Sequence, residues 1–341
     1  MSHKSEKDPN TKKQKMKAID FSSTTELTVV DVAKPELAKD NELLVKVVSA
    51  AIDTALDPVS NNGPHAELLH TKKKDGEPFV LGWHYAGTIE EIGSGVEGFA
   101  VGDDVFGFLP YSAETFQGTL AEYVTVASDS CAKKPESVSF DLAAASATEV
   151  ATALQGIRDQ GKMKEGHRVL VLGGGGGVGI AGVQVAKLLG ASHVTATCST
   201  RDVDRVRSHG ADTVVDRSKV SPTTIDEQFD VIFDSTGMYS AKDFMGKLRR
   251  GSGCYVTTLP DIGLLWGIMR AIVTLKNWPA FVLCVSKRPD MELIGDWLSS
   301  GKMKVAIDST FKVKDISEAV KRQADRTKVG RVVINIADGW H

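Results

Sequence analysis

The sequence predicts a two-domain α/β protein, in which a doubly wound parallel sheet is joined to a smaller, mostly antiparallel β-barrel. A glycine-rich turn separates an apolar run from an amphipathic helical pattern at residues 169–189. From about residue 148 onward, strand-like segments alternate with helical ones, which is typical of βαβ units and a parallel sheet. Residues 17–147 instead contain short β-like runs separated by turns, which indicates the barrel-like domain.

The run VLVLGGGGGVG at residues 169–179 is the strongest functional signal in the chain. One register of its glycines fits the pattern G-x-G-x-x-G: Gly174, Gly176 and Gly179. In a dinucleotide site these glycines permit a tight turn, close approach of a pyrophosphate, and close packing of helix on strand. The next helix offers its free N–H groups and positive dipole end to the phosphates. Because strand, turn and helix follow in the required order, we predict a Rossmann-type dinucleotide site that also includes Gly177 and Val178.

The composition is that of an ordinary globular protein. A chain of 341 residues with 42% hydrophobic and 25% charged residues suits two domains. The net charge of −3 gives no sign of a nucleic-acid partner. The cysteines are scattered and form no C-x-x-C pair, so neither a disulfide framework nor a structural zinc site is indicated: Cys131, Cys198, Cys254 and Cys284. A reducing compartment follows, and we predict a cytoplasmic protein.

Two segments bear on targeting and membranes. Residues 1–15 are polar and lysine-rich, lack the apolar core of a signal peptide, and are interpreted as a disordered tail. The most apolar stretch, residues 262–285, is interrupted by Arg270 and Lys276, which argues against a membrane span. We predict a helix there, followed by a buried strand at residues 281–285. Peripheral contact with a membrane and an organellar location are the alternatives.

The predicted domain order is discontinuous. The catalytic domain begins with residues 16–147, the nucleotide-binding domain occupies residues 148–286, and residues 287–341 return to the first domain. The last segment contains helical patterns at 291–299 and 316–322 and strand patterns at 304–307 and 331–336.

The residue about 20 positions beyond the glycines separates NAD from NADP in Rossmann sites. An NAD-selective site has a carboxylate there, but this chain has Ser199, followed by Thr200 and Arg201. The hydroxyls can donate hydrogen bonds to a 2′-phosphate, Arg201 can pair with it, and Arg217 supplies a second cation. Two alternatives stay open: Ser199 or Thr200 caps the next helix, or Asp202 serves NAD from a longer loop. We favour NADPH.

Motifs along the chain from about residue 16 onward resemble the zinc-free, zeta-crystallin-like quinone oxidoreductase branch of the medium-chain dehydrogenase/reductase superfamily. They are VGDDVFG (101–107), GTLAEYV (118–124), GGGGGVG with AKLLGA, HVTATCS, GADTVVD, FDSTG and VGRVVINI. Within that branch, the end of the chain is similar to chloroplast-envelope quinone oxidoreductase homologues and alkenal/enone reductases. The resemblance implies a GroES-like catalytic domain, a Rossmann domain and NADPH as the cofactor.

The resemblance also implies which residues surround the nicotinamide. It places the segment from Thr54 to Asp57, and the region of Thr148 and Thr152, beside the ring. It assigns the ribose and the ring to backbone groups of two further segments: Ser235, Thr236 and Gly237, and Thr258, Leu259 and Pro260.

Two segments depart from both branches of the family. The zinc-dependent branch has cysteine and histidine ligands where this chain reads DTALD at 53–57 and GWHY at 82–85, so no metal is predicted. The zinc-free branch commonly has Asn-Pro-x-Asp, of which Asp57 is kept and Thr54 replaces the asparagine. His84 stands where that branch often has an aspartate, and it is interpreted as a structural or substrate-facing histidine.

These residues predict hydride transfer from NADPH to quinones or α,β-unsaturated carbonyls. Charge that develops on a carbonyl oxygen needs a hydrogen-bond donor, and the α-carbon then needs a proton. The catalytic candidates are Thr54, Asp57, His84 and Tyr85, with Tyr111 as a further donor; a proton from water would require no dedicated acid. Because Thr54 and His84 depart from the family, a catalytically weak NADPH-binding sensor, adaptor or structural protein is the alternative.

The assembly prediction is a homodimer. The apolar segment 281–285 is the predicted last strand of an open sheet, and such edges invite pairing across a two-fold axis. The family resemblance points to the same dimer. The alternative is a monomer in which the preceding helix or the N-terminal tail covers the edge.

Overall fold

The computed structural model describes residues 14–22, 27–52, 77–110, 117–259, 279–325 and 327–340. These residues form two large sheets and a small hairpin, with helices between and around the sheets. The architecture confirms the predicted α/β class with a parallel and a mostly antiparallel sheet.

Up to residue 133, the described part of the chain supplies seven strands. β1 (Lys15–Asp20) and β2 (Thr28–Ala33) pair with each other as an antiparallel hairpin. The others enter the mostly antiparallel sheet: β3 (Glu42–Ala51), β4 (His84–Ile92), β5 (Asp104–Phe108), β6 (Tyr123–Ala127) and β7 (Cys131–Lys133).

Helices and parallel strands then alternate. The helices are α1 (Phe140–Leu154), α2 (Gly177–Leu188), α3 (Val203–Ser208) and α4 (Ala241–Phe244). The strands are β8 (Arg168–Leu172), β9 (His193–Cys198), β10 (Thr213–Asp216), β11 (Val231–Asp234), β12 (Cys254–Thr257) and β13 (Pro279–Phe281). Their spatial order is β10-β9-β8-β11-β12-β13. This is the 3-2-1-4-5-6 order of a doubly wound sheet. Strands are added on one side of β8 first and on the other side from β11 onward, and such folds bind nucleotides at this switch point between β8 and β11.

The end of the chain completes the first sheet. It contains α5 (Arg288–Ser299), β14 (Ile307–Lys312), α6 (Ile316–Ala324) and β15 (Arg331–Asn335). β15 pairs antiparallel with β3, with Val333 opposite Ala51, and β14 runs parallel to β15. The residues that follow the parallel sheet therefore lie beside strands from the first third of the sequence.

Helix α1 links the two sheets. It contacts β4 and β5 on one side and α2 on another. Residues 143–154 are all buried, and half of them are alanine, so the backbones on either side can approach closely. Ser139 begins the helix, since its Oγ accepts a hydrogen bond from the backbone N–H of Leu142 at 3.2 Å. The predicted domain boundary between residues 147 and 148 falls inside this shared helix.

Two of the predicted strands are mostly irregular chain, which glutamine side chains hold in place. The predicted strand 281–285 is only Pro279–Phe281. Beyond it, the Gln155 amide bonds both backbone groups of Val285, at 2.7 and 3.0 Å. In the same way, Gln184 bonds both backbone groups of Lys304, at 2.9 Å each, and the neighbouring strand β14 starts only at Ile307. A side-chain amide thus replaces the strand partner in both places.

None of the helices that the structure describes is both long enough and apolar enough to cross a bilayer. The apolar stretch 262–278 lies outside the described residues.

Candidate functional site

The glycine turn connects β8 to α2 at the switch point between β8 and β11, where the order of strand addition reverses. The tight turn was predicted at Gly174, but it is Gly173 that has a φ of +84°, a conformation that favours glycine. A Cβ on Gly179 would overlap the carbonyl of Gly173, which explains the close packing of helix on turn. Gly176 precedes the helix with ordinary backbone angles, and a Cβ there would meet only the Gly173 oxygen, at 3.6 Å. Gly176 is therefore the glycine whose bare backbone faces open space.

A cavity of about 160 Å³ opens beside this turn, and we call it the basic pocket. Its walls come from helices α1, α2 and α3, from the turns after β8 and β9, and from the segments that precede β14 and β15. They are Glu149, Gly175, Gly176, Gly177, Ile180, Ala181, Arg201, Arg205, Lys304, Val305, Ala306, Lys328 and Gly330. Four cationic side chains thus surround the N-terminus of a 12-residue helix, whose dipole also favours an anion.

Asp202 organises the side of the pocket that follows β9. Its buried carboxylate accepts hydrogen bonds from the Ser199 hydroxyl at 2.6 Å and from Arg205 Nη2 at 2.7 Å. Burial raises the pKa of Asp202, but the hydrogen bonds from Arg205 and Ser199 lower it by more, so the pKa lies below its usual value. Arg205 Nη2 also donates to the carbonyl of Gly175 at 2.6 Å, which ties α3 to the glycine turn. Asp202 therefore holds Ser199 and Arg205 in place around the pocket.

Of the residues predicted to bind the 2′-phosphate, one lines the basic pocket and the other three do not. Arg201 lines the basic pocket, with 55% of its side chain exposed. Thr200 instead donates its hydroxyl to Asp216 at 2.7 Å. Arg217 is exposed beyond the end of β10 and is not among the residues that line the pocket. Ser199 shows no capping bond to the backbone of the next turn.

The loops after β11 and β12 meet the glycine turn. The Ser235 hydroxyl donates to the carbonyl of Leu172 at 2.8 Å. Asp234 is fully buried and accepts hydrogen bonds from the backbone N–H and hydroxyl of Thr236 at 2.8 and 2.6 Å, and from the Tyr255 hydroxyl at 2.7 Å. Thr258 donates its backbone N–H to the carbonyl of Asp234 at 3.1 Å. The carboxyl ends of β8, β11 and β12 therefore form one crevice, as nucleotide sites in doubly wound folds require.

Comparison with known proteins identifies the family. Residues 39–136 match the alcohol dehydrogenase GroES-like domain, and residues 209–334 match the zinc-binding dehydrogenase domain. The 2-methylene-furan-3-one reductase of Solanum lycopersicum is 33% identical, with 89% of this chain and 74% of that protein covered. The chain belongs to the medium-chain dehydrogenase/reductase superfamily.

Two further members of the superfamily are similar along the chain. The chloroplastic NADPH-dependent alkenal/one oxidoreductase of Arabidopsis thaliana is 30% identical over 89% of this chain and 74% of its own. The structure of the quinone oxidoreductase from Coxiella burnetii superposes with a TM-score of 0.79 and 26% identity, covering 94% of this chain and 99% of the other. These matches confirm the resemblance to the quinone oxidoreductase and enone reductase branch.

Two of the catalytic candidates lie deep inside the reductase. His84 is fully buried at the start of β4, with Nδ1 2.9 Å from the carbonyl oxygen of Ala51. Tyr85 is also fully buried, and burial raises its pKa well above the usual value, with a further contribution from Cys131. Neither side chain lines the basic pocket. Thr54, Asp57 and Tyr111 lie outside the described residues.

The predicted nicotinamide residues occupy the crevice and α1. Thr148 and Thr152 are buried one helical turn apart on α1, and the Thr152 hydroxyl lies 3.1 Å from Cys284 Sγ. Gly237 has a φ of +61°, which turns the chain beside Leu259. Pro260 lies outside the described residues.

One of the two matching domains is named for zinc binding. Within the described ranges, no three His, Cys, Asp or Glu side chains are grouped so that they could hold a metal ion. All of the cysteines are buried, and none of them is in a disulfide bond. Burial raises the pKa of Cys131 and Cys254 to about 12 each, so neither thiol is a ready thiolate ligand.

Several residues of the site were not predicted from the sequence, because they lie outside the nucleotide-binding motif. They are Glu149, Arg205, Asp234, Lys304, Lys328 and Arg331. For Glu149 a local signal exists, since it is the only charge within the small and apolar run from residue 142 to 157. The lysines come from the end of the chain and meet the glycine turn only in the folded protein.

Proposed function

We propose that this protein is a zinc-independent reductase that transfers a hydride from NADPH to quinones or α,β-unsaturated carbonyls. The basic pocket at the glycine turn carries the proposal, because it joins a helix N-terminus, bare glycine backbone and four cations at the crevice of a doubly wound sheet. The names of the relatives from Solanum lycopersicum, Arabidopsis thaliana and Coxiella burnetii support the same substrate classes.

The residues of the chain would bind and orient rather than perform covalent chemistry. Bound NADPH would supply the hydride. The N-terminus of α2 and the basic pocket would hold its phosphates, while Ser235, Thr236, Gly237, Thr258 and Leu259 would position its other half. Because His84 and Tyr85 are buried, we propose that the proton for the α-carbon comes from water, with Thr54 and Tyr111 as the remaining candidate donors to the carbonyl oxygen.

Steady-state oxidation of NADPH, measured with a panel of enones and quinones, tests the proposal. The protein should first be treated with a chelator and its zinc content measured. Turnover by zinc-free protein is the expected result. Tight NADPH binding without turnover of any acceptor would favour the sensor or adaptor instead, and activity that is lost and regained with zinc would refute the metal-free mechanism.

We expect NADPH to bind more tightly than NADH, and Arg201→Ala to remove most of the difference. A charge-assisted hydrogen bond contributes about 1.5–3 kcal/mol, so the variant should weaken NADPH roughly tenfold to a hundredfold and leave NADH nearly unchanged. Titration of both cofactors measures this. Arg207→Ala is the matched control, because Arg207 is similarly exposed, pairs with Asp204 on its own helix and is not among the residues that line the pocket.

Arg217 remains the proposed second cation, and Arg217→Ala should then have a smaller effect of the same kind. Equal affinities of the wild-type protein for NADPH and NADH would contradict the cofactor assignment.

We also propose a homodimer that forms through the edge beyond β13. β13 is the last strand of the parallel sheet in the described residues, and Leu283 and Val285 just after it are 47% and 46% exposed. An apolar sheet edge of this kind pairs readily with a second copy. Light scattering at micromolar concentration should give twice the 36.6 kDa of one chain.

Leu283→Glu is expected to shift that mass towards 36.6 kDa. Val220→Glu serves as the control, since Val220 is equally exposed but lies away from this edge, after β10. A wild-type mass of one chain, unchanged by NADPH, would rule out the dimer. The cytoplasm stays the predicted location, and cell fractionation decides between it and an organelle.

A further inference from the structure

A buried carboxylate lies against the N-terminus of α2, where the proposed function places the phosphates of the cofactor. Glu149 comes from α1, and its side chain lines the basic pocket together with Gly177, the first residue of α2. A methyl group on Gly177 would overlap the carboxylate of Glu149, so the two are in direct contact. The positive end of the α2 dipole therefore already faces an anion that the chain itself provides.

Arg331 holds this carboxylate in place. Its Nε lies 2.9 Å from Glu149 Oε1, and both side chains are buried. Arg331 Nη1 also donates to the carbonyl of Ile52 at 3.1 Å. Because Arg331 begins β15 and Ile52 follows β3, the pair fastens the glycine turn to the antiparallel sheet.

The cationic side chains around the pocket outnumber the carboxylates, even though Asp202 already bonds Arg205. Arg201, Arg205, Lys304 and Lys328 line the same cavity. Burial lowers the pKa of Lys328, and the nearby charge of Arg331 lowers it further, so cations here crowd one another. An added anion would relieve this crowding, but it would also face the Glu149 carboxylate.

We propose that Glu149 is an affinity-setting residue: its carboxylate occupies the anion position at the N-terminus of α2 until the cofactor's pyrophosphate replaces it. The inference rests on the proposed function. Two anions cannot share one helix N-terminus without strong repulsion, so Glu149 raises the dissociation constant of the cofactor. NADPH and NADH carry the same pyrophosphate, and Glu149 should therefore weaken both equally, without affecting the preference between them.

The test is the affinity of Glu149→Gln for NADPH and NADH, measured by titration in low-salt buffer. The variant keeps the size of the side chain and removes its charge. We expect both cofactors to bind about tenfold more tightly than to the wild type, with their affinity ratio unchanged. Glu136→Gln is the control, since it removes the same charge from an exposed position before α1 and should change neither affinity.

Unchanged or weaker binding by Glu149→Gln would overturn the inference, because Glu149 would then only position Arg331 or accept a hydrogen bond from the cofactor. A change confined to NADPH would overturn it as well. If Glu149→Gln does not fold, Glu149→Asp provides the answer. It keeps the charge but retracts it from Gly177, so a smaller tightening of both cofactors is expected and no tightening contradicts the inference. Lack of cofactor binding by the wild type and all variants would instead refute the proposed function itself.

Discussion

Gly176→Val is expected to weaken the binding of both NADPH and NADH about a hundredfold. The glycine precedes α2 at φ −85° and ψ 169°, which valine also adopts, and only the Gly173 oxygen lies near its Cβ position. The valine side chain would project into the basic pocket and keep the pyrophosphate away from the helix N-terminus. One or two charge-assisted hydrogen bonds of about 1.5–3 kcal/mol each would be lost, which gives the expected factor. Titration of both cofactors measures it.

The fold of Gly176→Val should persist, although a valine before the first helical residue costs about 1 kcal/mol. Gly246→Val is the matched control, because Gly246 is exposed, has no atom within 4 Å of its Cβ position and lies outside the pocket. Wild-type affinity in Gly176→Val would mean that the cofactor's phosphates do not approach this turn.

Phe233→Ala should have the largest effect on stability, lowering the free energy of unfolding by about 3–5 kcal/mol. Phe233 lies in the central strand β11 and is fully buried. Its ring fills a slot between Gly156 and Gly182, where added methyl groups would come within 2.6 and 3.0 Å of ring atoms. Neighbours packed so tightly cannot collapse into the space that the ring leaves, so a cavity remains.

Chemical denaturation at 25 °C measures the loss. Phe233→Leu should cost clearly less, because leucine refills most of the volume. A loss below about 1 kcal/mol in Phe233→Ala would show that the slot collapses and that the packing between α1, α2 and β11 is loose.

The elements that were predicted best are those whose sequence pattern lies entirely within their own residues. The apolar run before the glycine turn was predicted as a strand and forms β8, Arg168–Leu172. The helix predicted at 316–322 forms α6, Ile316–Ala324. Strands of a covered parallel sheet are continuous apolar, β-branched runs, and an amphipathic helix shows its own period, so neither needs distant residues to be recognised.

The misplaced strands show what local pattern cannot report. Residues 282–285 are all apolar, as in a buried strand. The backbone of Val285 nevertheless bonds to a side chain 130 residues away, that of Gln155. Lys304 bonds to Gln184, which is 120 residues away. A glutamine amide that completes a backbone pair has no periodic signature, so only the folded chain reveals it.

The sequence by itself determined the glycine turn, the alternation of strands and helices, and the resemblance to zinc-free reductases, because neighbouring residues carry all three. Only the tertiary structure decided which charges meet. Arg201 joins Lys304 and Lys328 around one cavity, while Arg217 is not among the residues that line it. Glu149 reaches the N-terminus of α2 and finds Arg331 there. These contacts form only when β15 pairs with β3 and α1 packs between the sheets, because the free energy of an ion pair depends on distance and burial rather than on position along the chain.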